Sequence, residues 1–118
     1  MNNFQQGADM PVPKNVQLTK PWQELPADQV SVLAAQLHRE LSPRHVLYGA
    51  EARAVVARVD RDDVLFELIW HAKQLAQVHL TWSQRPPDDP KWPAVQFFAT
   101  WDDWVQEKLL RDHEDYGE

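Results

Sequence analysis

Cysteine is absent from the 118-residue chain. That removes disulfides, thiolate metal sites and thiol nucleophiles together. Glycine is almost as scarce, with three residues, and no glycine-rich turn is available to cradle a phosphate or a dinucleotide. No apolar run approaches the ~20 residues that a membrane span needs. The opening MNNFQQGADMPVPKN has neither the basic start nor the apolar stretch of a secretory leader. The expectation is a soluble cytoplasmic protein with no membrane association and no cofactor.

Positive charge is missing from one part of the chain. Residues 86–118 hold three basic and nine acidic groups, whereas residues 1–45 hold four of each and residues 46–85 five of each. The net charge of −6 therefore sits in the last segment. A field of that sign repels phosphate, which argues against nucleic acid as a partner and favours a basic protein surface.

The chain is long enough for one domain with a real core. Residues 1–20 are polar, contain Gly7, Pro11 and Pro13, and read as a flexible tail ahead of a domain over 21–118. Val30, Leu33, Ala34, Leu37 and Leu41 recur at helical spacing, which predicts an amphipathic helix over 27–41. Pro26 and Asp28 suit its first turn, and Pro43 ends it. Short strands follow in HVLYG, EARAVVARV, VLFELIW and AQVHLTW, and AVQFF adds an edge strand. Thr100 caps a second helix whose apolar face is Trp101, Trp104, Val105 and Leu109. Without a crossover helix between the strands the sheet is an antiparallel meander. The expected fold is an α+β two-layer sandwich in the order α-β-β-β-β-(β)-α, with four or five strands and both helices on one face.

Register then suggests a site. Val64, Phe66, Leu68 and Trp70 share one side of their strand, and Ala76, Val78, Leu80 and Trp82 share one side of the next. Pairing Leu68 with Val78 joins these faces and sets Glu67 opposite His79. Pairing Val59 with Val64 puts Val55, Ala57 and Val59 on the core side and leaves Arg58 one diagonal step from Glu67. Arg58, Glu67 and His79 thus form a row on the outer face. A carboxylate beside a histidine and an arginine is a candidate catalytic group, yet the sequence has no nucleophile elbow. The five histidines have no metal-ligand spacing, so no metal site is expected.

The same outer face carries Val56, Leu65 and Ile69, more apolar surface than a solvated face needs. Trp92 lies in the proline-rich connection 83–93 and is a candidate anchor. Val56, Leu65, Ile69, His79 and Trp92 are therefore the candidate binding residues. They point to a non-enzymatic module that associates with a protein partner or with itself, of which a bacterial immunity or adaptor protein is an example. A small hydrolase or ligand-binding enzyme using Arg58, Glu67 and His79 is the alternative. The N-terminal residues Val12, Val16, Leu18 and Trp22 are rival covers for that face within the chain.

RDDVLFEL, VHLTWS and the later WP, F, W, W pattern together resemble a set of small uncharacterised bacterial proteins of similar length. The resemblance spans most of 22–116. It implies a bacterial origin and one compact domain, and it carries no site residues over.

Overall fold

The computed structural model describes residues 12–116. Five strands form one antiparallel sheet in sequential order: β1 (Trp22–Glu24), β2 (Glu51–Arg58), β3 (Asp63–Ile69), β4 (Leu75–His79) and β5 (Ala94–Phe98). Helix α1 (Ala27–Glu40) lies between β1 and β2, and α2 (101–116) follows β5. This is the α+β meander with an early and a late helix that the sequence predicts. One strand is relocated. HVLYG is a chain of tight turns, in which the amides of His45, Tyr48 and Ala50 each bond the carbonyl three residues back. The strand count is made up by β1, a short piece bracketed by Pro21 and Pro26 on the edge of β2.

The helices do not share a face. Leu33, Leu37 and Leu41 of α1 and its end pack with Leu47, Ala54, Val64, Phe66, Leu68, Ala76, Val78 and Leu80 on one side of the sheet. Trp101, Trp104 and Leu109 of α2 pack with Trp22, Val55, Val56, Leu65, Leu75 and Phe98 on the other. Val12, Val16 and Leu18 lie against this second core, so the segment expected to be a free tail is packed from Val12 onward. Residues 1–11 of that expected tail lie outside the described residues. The sheet is buried on both faces, and the surplus of apolar residues on the outer side of β2 and β3 is the reason: it needs its own helix.

Two sequence registers are corrected. Asp63 stands opposite His79, Val64 opposite Val78 and Glu67 opposite Leu75, a slip of four residues from the expected pairing of Leu68 with Val78. An even slip keeps every side chain on its own face, so the alternating pattern alone does not distinguish the two registers. The hairpin decides. Trp70 takes a left-handed conformation at φ 60°, which turns the chain directly after Ile69 and lets the Leu68 amide bond Gln74 O at 2.8 Å. Trp70, expected in the core, is instead 93% exposed. Trp82, also expected inside, has φ 61° and is exposed, as it leaves the sheet there.

On the other side of β3, Val56 pairs with Leu65 and Ala54 with Phe66, so Val55 is a bulge. The bulge turns both Val55 and Val56 into the second core. Ala57 pairs with Val64 in place of Val59, and Val59 is exposed.

Candidate functional site

The expected row of Arg58, Glu67 and His79 does not form. All three lie in strands of the sheet, but the four-residue slip and the bulge give each a separate partner. Arg58 bonds Asp60 through Nε and Nη2 at 2.9 and 3.0 Å. Its Nη1 lies 3.3 Å from Asp112 Oδ2, and its guanidinium sits 5.9 Å from the centre of the Trp22 ring. Burial pulls the Arg58 pKa down, but the bond to Asp60 and the charges of Asp112, Asp60 and Asp63 outweigh it and hold it above its usual value. The bond from Arg58 holds the Asp60 carboxyl below its usual range. Glu67 accepts from Arg53 Nη2 at 2.7 Å. His79 pairs with Asp63, the residue directly across from it.

The aromatic cluster of the second core ends in this dyad. Trp22 and Trp101 both meet Trp104 edge-on, with ring centres 5.2 and 5.8 Å away. Trp104 Nε1 donates to Gln77 Oε1 at 3.2 Å, Gln77 Nε2 donates weakly to Asp63 Oδ2 at 3.4 Å, and His79 Nδ1 donates to Asp63 Oδ1. The series runs from the buried Trp104 through Gln77 to the exposed His79 ring, whose Nδ1 is the nitrogen turned to Asp63. The hollow in front of it, lined by Asp63, Gln77, His79, Ala94, Val95 and Gln96, holds about 230 Å³. Ligand sites are typically ~300–1,000 Å³, and these lining residues include no hydroxyl, thiol or amine nucleophile. Among the described residues, no three histidine, aspartate or glutamate side chains converge on a metal position.

A second concavity of about 570 Å³ lies along the connection after β4, lined chiefly by Thr81, Ser83, Arg85, Pro86, Pro87 and Trp92. A buried carboxylate holds its base. Glu40, at the end of α1, is fully buried and accepts from the Thr81 amide, the Thr81 hydroxyl, the Trp82 amide and Gln36 Nε2, all within 2.7–2.9 Å. Gln36 also donates to Ser83 O. At the far end His45 accepts from the Leu47 amide at Nδ1, so Nε2 carries the proton and donates to Pro93 O at 2.8 Å. Both ring nitrogens of this buried histidine are used in fixing the loop.

The candidate binding residues separate accordingly. Val56 and Leu65 have no exposed surface, because α2 and the segment 12–18 cover them. In this fold they present no surface on which a partner could rest. Ile69 is half-buried, while His79 and Trp92 are exposed. His79, across from Ala94, and Trp92, two residues before it, both lie near the start of β5, whose outer edge was not among the candidate sites.

Among the described residues β5 pairs with β4 on one side and bears no strand on the other. The direction of its free groups follows from the ladder. The bonds Leu68 to Gln74 and Leu80 to Asp62 show that even-numbered residues of β3 and β4 bond each other. Leu75, Gln77 and His79 therefore turn their backbones to β5, where they face Phe98, Gln96 and Ala94. Val95 and Phe97 point their amides and carbonyls outward. The strand contains no charge and no proline, and its pairing with β4 has no bulge, so it lacks the features that usually blunt an edge. α2 starts beside β5 at Trp101 and runs across the sheet to Asp112, which accepts from Trp22 of β1 at 2.8 Å. The signal for this edge is in the sequence, as the uncharged run AVQFF after a proline-rich connection.

Among the described residues no helix is long and apolar enough to cross a membrane. Comparison with family models, curated proteins and solved structures gives no match.

Proposed function

We propose that the protein is a non-enzymatic binding module that takes up an extended polypeptide segment at the outer edge of β5, in the manner of a bacterial immunity or adaptor protein. The observation that supports this reading is the uncharged edge at Val95–Phe97, which bears no strand among the described residues. An added strand gains backbone hydrogen bonds there, and alternate side chains supply specificity. Trp92 at the start of the strand is 47% exposed and is suited to anchor the segment. The acidic groups that follow, including Asp102 and Asp103, favour basic residues beside it.

Gln96 is exposed and its backbone already serves β4. Replacing it with lysine thus changes the edge and leaves the fold intact. In affinity recovery from a bacterial lysate the full-length protein is expected to retain a partner that Gln96→Lys loses, with both proteins unfolding at the same temperature. Recovery of the same partner by both would rule out the β5 edge as the contact.

The enzymatic alternative draws on one observation, the Asp63–His79 pair with a half-exposed His79 side chain. Such a pair can polarise a water, but the shallow hollow has little with which to hold a substrate. If this reading were correct, His79→Ala would abolish a hydrolytic activity detectable in the purified protein. Under the binding reading that substitution leaves partner recovery in place.

A further inference from the structure

We infer that the occupant of the β5 edge is a second copy of this chain, paired antiparallel about a two-fold axis at Gln96. This rests on the reading of β5 as the binding edge and adds the identity of the partner.

The strand is complementary to itself. In an antiparallel pair with Gln96 opposite Gln96 of the second copy, Val95 falls opposite Phe97 and Ala94 opposite Phe98. Val95 and Phe97 are the residues whose amides and carbonyls point outward, so each Val95–Phe97 pair exchanges backbone bonds. No other two-fold centre within the strand uses both outward residues of each copy. The faces agree as well. Val95 and Phe97 lie against the first core in each copy, so the pairing extends both apolar layers across the axis. On the opposite face the central position is held by two side-chain amides, and primary amides are mutual donors and acceptors. Pairing of this kind is isologous, so it closes as a dimer and leaves no new edge at the contact.

One charged side chain, Lys91, favours the same direction, against Asp88 and Asp89 in the loop before it. An antiparallel arrangement brings the start of each β5 to the end of the other. Lys91 precedes the strand, is 82% exposed at its side chain and lies only within 3.8 Å of Asp89. Asp102 and Asp103 follow the strand in the first turn of α2. Each Lys91 is thereby directed toward the acidic turn of the second copy, and a parallel pair would set like ends together. The contact is short. A pair of five-residue strands with these flanks is at or below the ~1,200 Å² of the smaller stable interfaces, and dissociation in the micromolar range is expected.

The absence of native cysteine allows a register-specific test. Directly opposed residues on neighbouring strands have Cα separations within disulfide range. Full-length Gln96→Cys is expected to oxidise readily to a disulfide dimer. Ala94→Cys, which meets Phe98 and not itself, is expected to remain a single chain under the same mild oxidation. By light scattering the unmodified protein is expected to rise with concentration toward twice the 13.8 kDa chain mass. Gln96→Lys and Gln96→Glu place like charges on the axis and are each expected to weaken the dimer roughly fivefold, and mixing them is expected to restore it.

The inference is overturned if the unmodified protein stays at one chain mass, if Ala94→Cys and Gln96→Cys cross-link equally, or if the mixture is no tighter than either variant alone. The two readings fail separately. A monomer from which Gln96→Lys still removes a partner overturns the second copy and leaves β5 as a binding edge. A dimer indifferent to every change at Gln96, together with recovery of the same partners by Gln96→Lys, overturns both.

Discussion

Glu40 is the residue on which the shape of the molecule near β5 depends most. Its carboxylate gathers two backbone amides, a hydroxyl and a side-chain amide where the chain leaves β4 in a left-handed turn at Trp82. A carboxylate can accept all four, whereas a glutamine must turn its own amide group toward some of those donors. Glu40→Gln is therefore expected to cost about 1–3 kcal/mol, and Glu40→Ala to cost more, since it leaves the Thr81 and Trp82 amides unpaired in a buried place. Urea unfolding of the two variants measures this. Equal stability of Glu40→Ala and the unmodified protein would show that water serves those amides as well. Nothing in the sequence marks this glutamate. It sits on the same helical face as Gln36 and Leu37, and the two backbone amides it holds are 41 and 42 residues away.

At the scale of elements, α2 shows how one extra residue is accommodated. Trp101 and Trp104 face inward, and regular helical spacing would next bring Lys108 inward. The helix instead contains a wide turn at Val105–Leu109, where the Leu110 amide reaches back to Val105 O. The next buried residues are consequently Leu109 and Asp112. Deleting the exposed Gln106 should convert the wide turn into ordinary helix and keep Leu109 and Asp112 inward, at a cost within about 1 kcal/mol. Deleting the exposed Ala35 from the regular helix α1 should rotate Leu33 away from Leu37 and unfold the domain or cost several-fold more. Thermal unfolding of the two deletions decides it, and equal damage from both would contradict this account of the wide turn. The apolar set Trp101, Trp104 and Leu109 was legible in the sequence, with Val105 at its margin. The wide turn was not, because a single inserted residue leaves no compositional trace.

The whole molecule is a sheet with a core on each face, and this determines what its apolar residues are for. Leu65 and Ile69 have the same orientation in β3, yet Leu65 is sealed under α2 while Ile69 is half-buried near the strand end. Leu65→Ser should cost about 3–5 kcal/mol, by loss of buried volume and burial of a hydroxyl. Ile69→Ser should cost markedly less. Denaturant midpoints of the pair test the layering directly, and an unchanged midpoint for Leu65→Ser would mean that the second face is open. With both faces closed, the open parts of the sheet are its edges, and among the described residues β5, like β1, has a strand neighbour on one side alone.

The α+β class, the antiparallel meander and the two helices were determined by the sequence itself, because helical and alternating apolar periods are local properties that survive any arrangement of the elements. The surplus of apolar residues on the outer face of β2 and β3 was legible for the same reason, and so was the need for something to cover it. Which segment covers it was decided only in three dimensions, since α2 can lie on either face with the same apolar stripe. The register was also a tertiary decision. A slip by an even number of residues preserves every inside–outside assignment, and only the tight turn at Trp70 and the bulge at Val55 select one pairing. The expected row of Arg58, Glu67 and His79 depended on that choice, so it dissolved into the pairs Arg58–Asp60, Arg53–Glu67 and Asp63–His79.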